Sequence, residues 1–360
     1  MAIGPQSTRH ISAPSQARLG WWHLLWRKAL LAGVQTGDIP PLAGDVPAPI
    51  RNLTQLIEER RGAYAAIARA RGADYKGGYW MMYLFAPIAV FCSAFAAASP
   101  RLVVILYGIE LLLIITILLL FMLMRRGSWQ EQWIRARRTA EHLRYLPLVA
   151  PFVRNRSANW YQDIASHHGM RVIVDDDVTR ACEWLADQEA NLGDRLREPI
   201  FYRGYIKYVD ELLTQQIHYH SNNAAMERIL ARRISIASSS FFGITIVCTA
   251  VIFFETLTGA VGLGRYIEAK YLRLCAAVLP AIGGGLRGLL AQGESHRVAA
   301  LSEGMAVRLA QLRDQLRKLQ PMAAFNGELE ALVWNSTQEL LSEADTWMRL
   351  QESVPLSVAG

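Results

Sequence analysis

The sequence predicts an all-α integral membrane protein with four transmembrane helices arranged as two hairpins, a helical cytoplasmic domain between them and a C-terminal coiled-coil-like helix. Three observations carry that reading. The chain has 360 residues, of which 52% are hydrophobic and 19% charged, so it is more apolar than a typical soluble protein and too charged to lie wholly in lipid. Its apolar residues gather into four blocks, each near the ~20 residues that span a bilayer, instead of spreading through a core. Lys and Arg cluster beside those blocks, where they set topology and meet anionic lipid.

The first block runs from about Tyr79 to Ser99 and the second from about Leu102 to Met124. A link as short as Ser99-Pro100-Arg101 forces an antiparallel pair, because both helices must reach the same side of the bilayer. The third block, Ile234 to Phe254, and the fourth, about Tyr271 to Leu290, form a second pair with a longer, glycine-rich loop. Arg273 and Arg287 leave the fourth only ~13 uninterrupted apolar residues, so a tilted, protein-lined or re-entrant segment stays open.

Orientation follows from the basic flanks. Arg60, Arg61, Arg69, Arg71 and Lys76 precede the first pair, and Arg125, Arg126, Arg135, Arg137 and Arg138 follow it. Arg228, Arg232 and Arg233 precede the second, while Arg297, Arg308, Arg313, Arg317 and Lys318 come after. Because the intervening loops hold few basic residues, both termini and the middle are expected in the cytoplasm, in a multi-pass membrane protein. The net charge of +7 is thereby spent on topology, and nucleic acid is not the expected partner.

Five regions result: an N-terminal polar and amphipathic segment (1–50), a helix with the first pair of spans (51–124), a helical cytoplasmic domain (125–233), the second pair (234–290) and C-terminal helices (291–360). Residues 17–33, ARLGWWHLLWRKALLAG, suit a short amphipathic helix that lies at the interface or docks on protein. NLTQLIEERRGAYAAIARA reads as a helix with Asn52 as its cap. In the middle region RVIV at 171–174 is the one strand-like run. From Tyr202, apolar residues recur at steps of three and four with no proline before the third block, predicting one long helix that runs straight into the membrane. Val298, Leu301, Met305, Leu309, Leu312, Leu316 and Leu319 form a coiled-coil-like stripe that ends at Pro321. A last helix is expected over about 328–350.

No nucleophile–base pair, phosphate loop or metal signature stands at a usable spacing, so neither an enzyme nor a cofactor is expected. His218 and His220 lie two apart and point to different faces of a helix, and His167-His168 is equally unsuited to one ion. Asp175-Asp176-Asp177 reads as a helix cap before Val178. Cys92, Cys248 and Cys275 fall in apolar blocks and Cys182 stands alone, giving no disulfide framework.

Charge and backbone softness within the spans are the better candidates for pore or gate. Glu110 lies roughly 12 Å into the second span at 1.5 Å per residue, either paired within the bundle or on a water-filled path. Arg287 either lines such a path or snorkels to the interface. Pro280 with Gly283, Gly284 and Gly285 marks either a hinge or close helix packing.

Three segments, WIRARRTAEHLRYL (133–146), YVDELLTQQIHYH (208–220) and LPAIGGGLRGLLAQGESHRVAALSEGMAVRL (279–309), resemble the SLATT-like and four-span effectors of bacterial nucleotide-signalling conflict systems. The resemblance covers about two thirds of the chain and implies a pore or membrane-disrupting effector in anti-phage defence. Its implied partner is a nucleotide second messenger or a nucleotide-sensing protein. No Gly-rich strand–helix fingerprint precedes the first span, so the sensing element is either the helical middle or a separate protein. The resemblance marks Gln216, Tyr219 and His220, with Gln292, Gly293 and Glu294, as ligand or partner contacts. The resulting expectation is a homo-oligomeric gated pore, since four spans of one chain leave no wide aqueous route. A non-conducting scaffold and a small transporter are the rival readings.

Overall fold

Of the 360 residues, the computed structural model describes 20–32, 46–155, 178–179, 192–258, 269–319 and 327–353. Among the described residues eight long helices follow in order: α1 (Gly20–Leu30), α2 (Ala48–Ala98), α3 (Val103–Arg126), α4 (Trp129–Val149), α5 (Pro199–Thr258), α6 (Ala269–Gly293), α7 (Ser295–Leu319) and α8 (Gly327–Glu352). Shorter helical segments lie at Pro100–Leu102, Ala150–Asn155 and Leu192–Arg195. No strand occurs among the described residues. The RVIV run, His167-His168, the Asp175–Asp177 run and Cys182 lie outside them.

Two helices are far longer than their apolar blocks. α2 fuses the expected polar helix and the first span into 51 residues, about 75 Å at 1.5 Å per residue. It starts at Ala48, with Pro47 at the cap position and Pro49 in the first turn. Asn52 therefore lies inside the helix and does not cap it, because proline already supplies the fixed φ and needs no amide partner there. α5 runs 60 residues without a break, as the proline-free pattern after Tyr202 predicts.

Four helices are long and apolar enough to cross a membrane, with mean hydropathy of 1.9 in α2, 2.9 in α3, 2.0 in α5 and 1.6 in the α6–α7 stretch. Their apolar parts pack as a row, α3 on α2, α2 on α6 and α6 on α5, while α3 and α5 make at most marginal contact among the described residues. Small residues allow this closeness. A Cβ at Gly78 would strike Met124 of α3; one at Gly288 would enter the Tyr83 ring; and one at Gly285 would lie 2.7 Å from the Tyr83 carbonyl oxygen. The outer helices keep their apolar faces bare: Val104 is 81% and Leu112 63% exposed on α3, as is 70% of Ile246 on α5. Such surface is stable against lipid or a second copy, not against water.

The polar ends of α2 and α5 join α4, α7 and α8 in a helical bundle. Ile50, Leu53, Leu143, Leu146, Tyr205, Leu213, Met305, Leu309, Leu316, Leu329 and Val333 form its core. The stripe expected to form a coiled coil is thus used inside one chain: Met305, Leu309 and Leu316 are fully buried against α5 and α8. Its three-and-four spacing fits any helix packed lengthwise on neighbours, which is why periodicity alone suggested a coiled coil. A second core joins bundle to row, with Tyr79, Trp80, Met82, Trp133, Leu230, Ile234, Leu289 and Trp347.

α1 docks here through Arg27, whose guanidinium lies 3.0 Å from Glu227 of α5. Arg233 donates to the Leu30 and Ala32 carbonyls at 2.6 and 3.1 Å, satisfying acceptors that a helix end leaves open. The opposite side of α1 leaves Trp21, Leu24 and Leu25 exposed. Of the two expected placements, docking on protein is the one seen.

Candidate ligand cavity and span residues

A cavity of about 800 Å³ opens between α2, α4 and α5, with Leu24 of α1 at its rim. A chamber of about 180 Å³ shares Lys76, Trp133, Arg137 and Tyr219 with it and draws side chains from every helix except α3. Gly72 makes room for the wall: a Cβ there would come within 2.6 Å of the Trp133 indole nitrogen. Lys76 Nζ then lies 5.0 Å above the Trp133 ring and the Arg137 guanidinium 3.8 Å above Trp347, so each cation rests on an aromatic face. Arg137 also donates to the Tyr219 hydroxyl at 3.4 Å. Across the chamber Gln292 donates to the Tyr75 hydroxyl at 2.8 Å, and Asn223 to Ser302 at 2.9 Å.

Behind Arg137 lies a tighter polar pocket with Glu141, Tyr145, Gln216, His220 and Glu343. Arg144 pairs with Glu141 at 2.9 Å, and the Tyr145 hydroxyl reaches Glu141 at 3.2 Å and Gln216 at 3.4 Å. Burial raises the Glu343 carboxyl from 4.5 to about 7, with Glu141 adding to the shift and Arg137 and Arg308 opposing it. Burial lowers His220 from 6.5 to about 4, helped by the charges of Arg137, Arg144 and Arg308. The imidazole is therefore neutral at pH 7, and its Nδ1 has no hydrogen-bond partner among the described residues.

Among the marked residues, Gln216 and Tyr219 line the 800 Å³ cavity, His220 lies in the pocket behind it, and Gln292 and Gly293 line the chamber. Glu294 stands apart from these cavities and bonds Arg297 at 3.4 Å. Its φ of 49° makes the break between α6 and α7. Lys76, Trp133, Arg137, Glu343 and Trp347 were missed. A lysine in the aromatic-rich run Tyr75-Lys76-Gly77-Gly78-Tyr79-Trp80, at the mouth of a span, was the signal available. His218 is exposed and His220 buried, and no group of His, Cys, Asp and Glu among the described residues is arranged to hold a metal ion.

The span candidates scatter. Glu110 is half-buried on α3, in the outer helix of the row. α6 stays helical through Pro280 and the Gly283–Gly285 run, so these positions do not break it. Gly283 instead takes Ser238, whose hydroxyl donates to its carbonyl at 2.9 Å, and Gly285 takes Tyr83 and Pro87. Gly284 is exposed, with no side chain nearby. Arg287 is exposed and reaches the Ser239 hydroxyl at 3.4 Å. Of the two readings weighed for the run, close packing describes Gly283 and Gly285; the backbone break lies at Gly293-Glu294.

Fold and site together define a helical protein with four membrane-compatible helices and a polar cavity where they meet a helical bundle. Comparison with known proteins gave no family model, curated protein or solved structure that matches the chain.

Proposed function

We propose that the protein is a membrane effector: a gated homo-oligomeric pore in the bacterial inner membrane. Its two helical hairpins span the bilayer, and both termini and the bundle lie in the cytoplasm. It opens on a nucleotide signal, or through a nucleotide-sensing partner, during anti-phage defence. One observation carries the gating part. α2 and α5 line the cavity and continue unbroken into apolar segments, so a ligand that shifts either helix moves a span as a lever. A ligand can shift such an equilibrium only by its differential affinity for the two states. The row packing supports an oligomer, because four helices in a row enclose no lumen, whereas several rows around an axis can. The basic flanks support the orientation.

The test is current from purified protein in planar bilayers, with and without cyclic and linear nucleotides. Arg287→Glu should change cation-versus-anion preference, since an exposed charge at a mouth sets local potential. Absence of current under all voltages and ligands would remove the pore and leave a membrane scaffold.

A further inference from the structure

The chamber below α1 holds more positive charge than the acids around it answer. Glu227 is taken by Arg27 at 3.0 Å, Glu141 by Arg144 at 2.9 Å, and Glu58 by Arg61 in a close pair. Glu343 approaches Arg137 from behind, where burial holds it at about 7 and partly protonated at neutral pH. Lys76 has no salt bridge or hydrogen bond among the described residues; its contact is the Trp133 ring. Burial and the neighbouring Arg27 and Arg137 charges lower it to about 8, against the opposing pull of Glu227. A cation in such a place costs free energy unless something negative arrives.

We propose that this chamber binds a phosphoryl group whose carrier lies in the adjoining 800 Å³ groove. Lys76 supplies a compact ammonium and Arg137 a guanidinium fork, the pairing that suits phosphate oxygens better than a single carboxylate. Asn223, Tyr219 and Gln292 add polar groups around the same space. The groove is of the size that takes small organic ligands, which fill roughly 300–1,000 Å³. Two carriers share this chemistry. A soluble organic phosphate can enter from the groove; an anionic lipid headgroup can enter from the bilayer, since Lys76 stands three residues before the apolar run that begins at Tyr79.

The experiment uses the full chain in neutral phosphatidylcholine nanodiscs, titrated calorimetrically with pyrophosphate and adenosine 5′-monophosphate, with adenosine as the uncharged control. A parallel arm measures by native mass spectrometry how much phosphatidylglycerol the protein retains against phosphatidylcholine. Saturable binding of a soluble phosphate assigns that source, and selective retention of phosphatidylglycerol assigns the lipid. In either arm Lys76→Met should weaken binding roughly tenfold or more, the effect of losing one charge-assisted hydrogen bond, while Lys76→Arg retains it. Lys76→Met keeps the aliphatic stem and removes a buried charge, so its melting temperature should not fall; if it does, Arg137→Gln is read in its place. Binding in neither arm, or equal binding by wild type, Lys76→Met and Arg137→Gln, overturns the site. The readout is binding alone, so it stands whether or not the protein conducts.

Discussion

Glu343 and His220 face the same arginines yet are shifted in opposite senses, because burial disfavours the charged form of each. The consequences for stability have opposite sign. Glu343, raised from 4.5 to about 7, contributes stability that is full below pH 4.5 and is lost as pH rises to 7. His220, lowered from 6.5 to about 4, contributes stability that is full above pH 6.5 and is lost as pH falls to 4. Between pH 4.5 and 6.5 the two oppose, which flattens the profile. Glu343→Gln should therefore unmask the histidine: stability of the solubilised protein should climb more steeply from pH 4.5 to 6.5, by up to about 1.4 kcal/mol per unit. Denaturant titrations at several pH values read this directly, and profiles parallel to wild type would show that the Glu343 carboxyl is not raised in the folded protein. Neither shift is legible in sequence. His220 looks like any helical histidine, and Glu343 is an ordinary acid on an amphipathic face until α4 is laid beside it.

At the scale of elements, α7 separates what periodicity says from what it leaves open. The stripe from Val298 to Leu319 correctly marks an apolar face, and spacing cannot name the partner. In the fold that face meets α5 and α8, burying Met305, Leu309 and Leu316 fully. Leu309→Ala should thus destabilise the bundle by about 2–5 kcal/mol, the cost of a cavity at a packed leucine, and leave the particle mass in mild detergent unchanged. Dissociation without loss of melting temperature would return the stripe to an intermolecular seam. The glycines of α6 teach the same lesson. Gly283 and Gly285 read equally as hinge or as contact, and the nearness of Phe242, Tyr83 and Pro87 makes them contacts. The break falls at Glu294, a residue with no helix-breaking character of its own.

For the whole molecule, the orientation is the expectation that rests most directly on charge. In a chain freed of its four cysteines, a cysteine placed at Ser128 should stay unlabelled by an impermeant reagent added outside intact cells, and one at Arg101 should react. Labelling at Ser128 alone would invert the topology. By itself the sequence determined the helical class and the four apolar segments. It also determined the unbroken run from Tyr202 into the third segment. These are local properties, written in runs of residue type and in the spacing of Gly and Pro. Only the tertiary structure decided that α2 is one helix of 51 residues, that the spans pack in a row, and that Lys76, Arg137 and Gln292 share one chamber. Those residues come from helices far apart in the chain. Their meeting depends on where Gly72, Gly78 and Gly288 let backbones approach, a property of paired surfaces that no single segment carries.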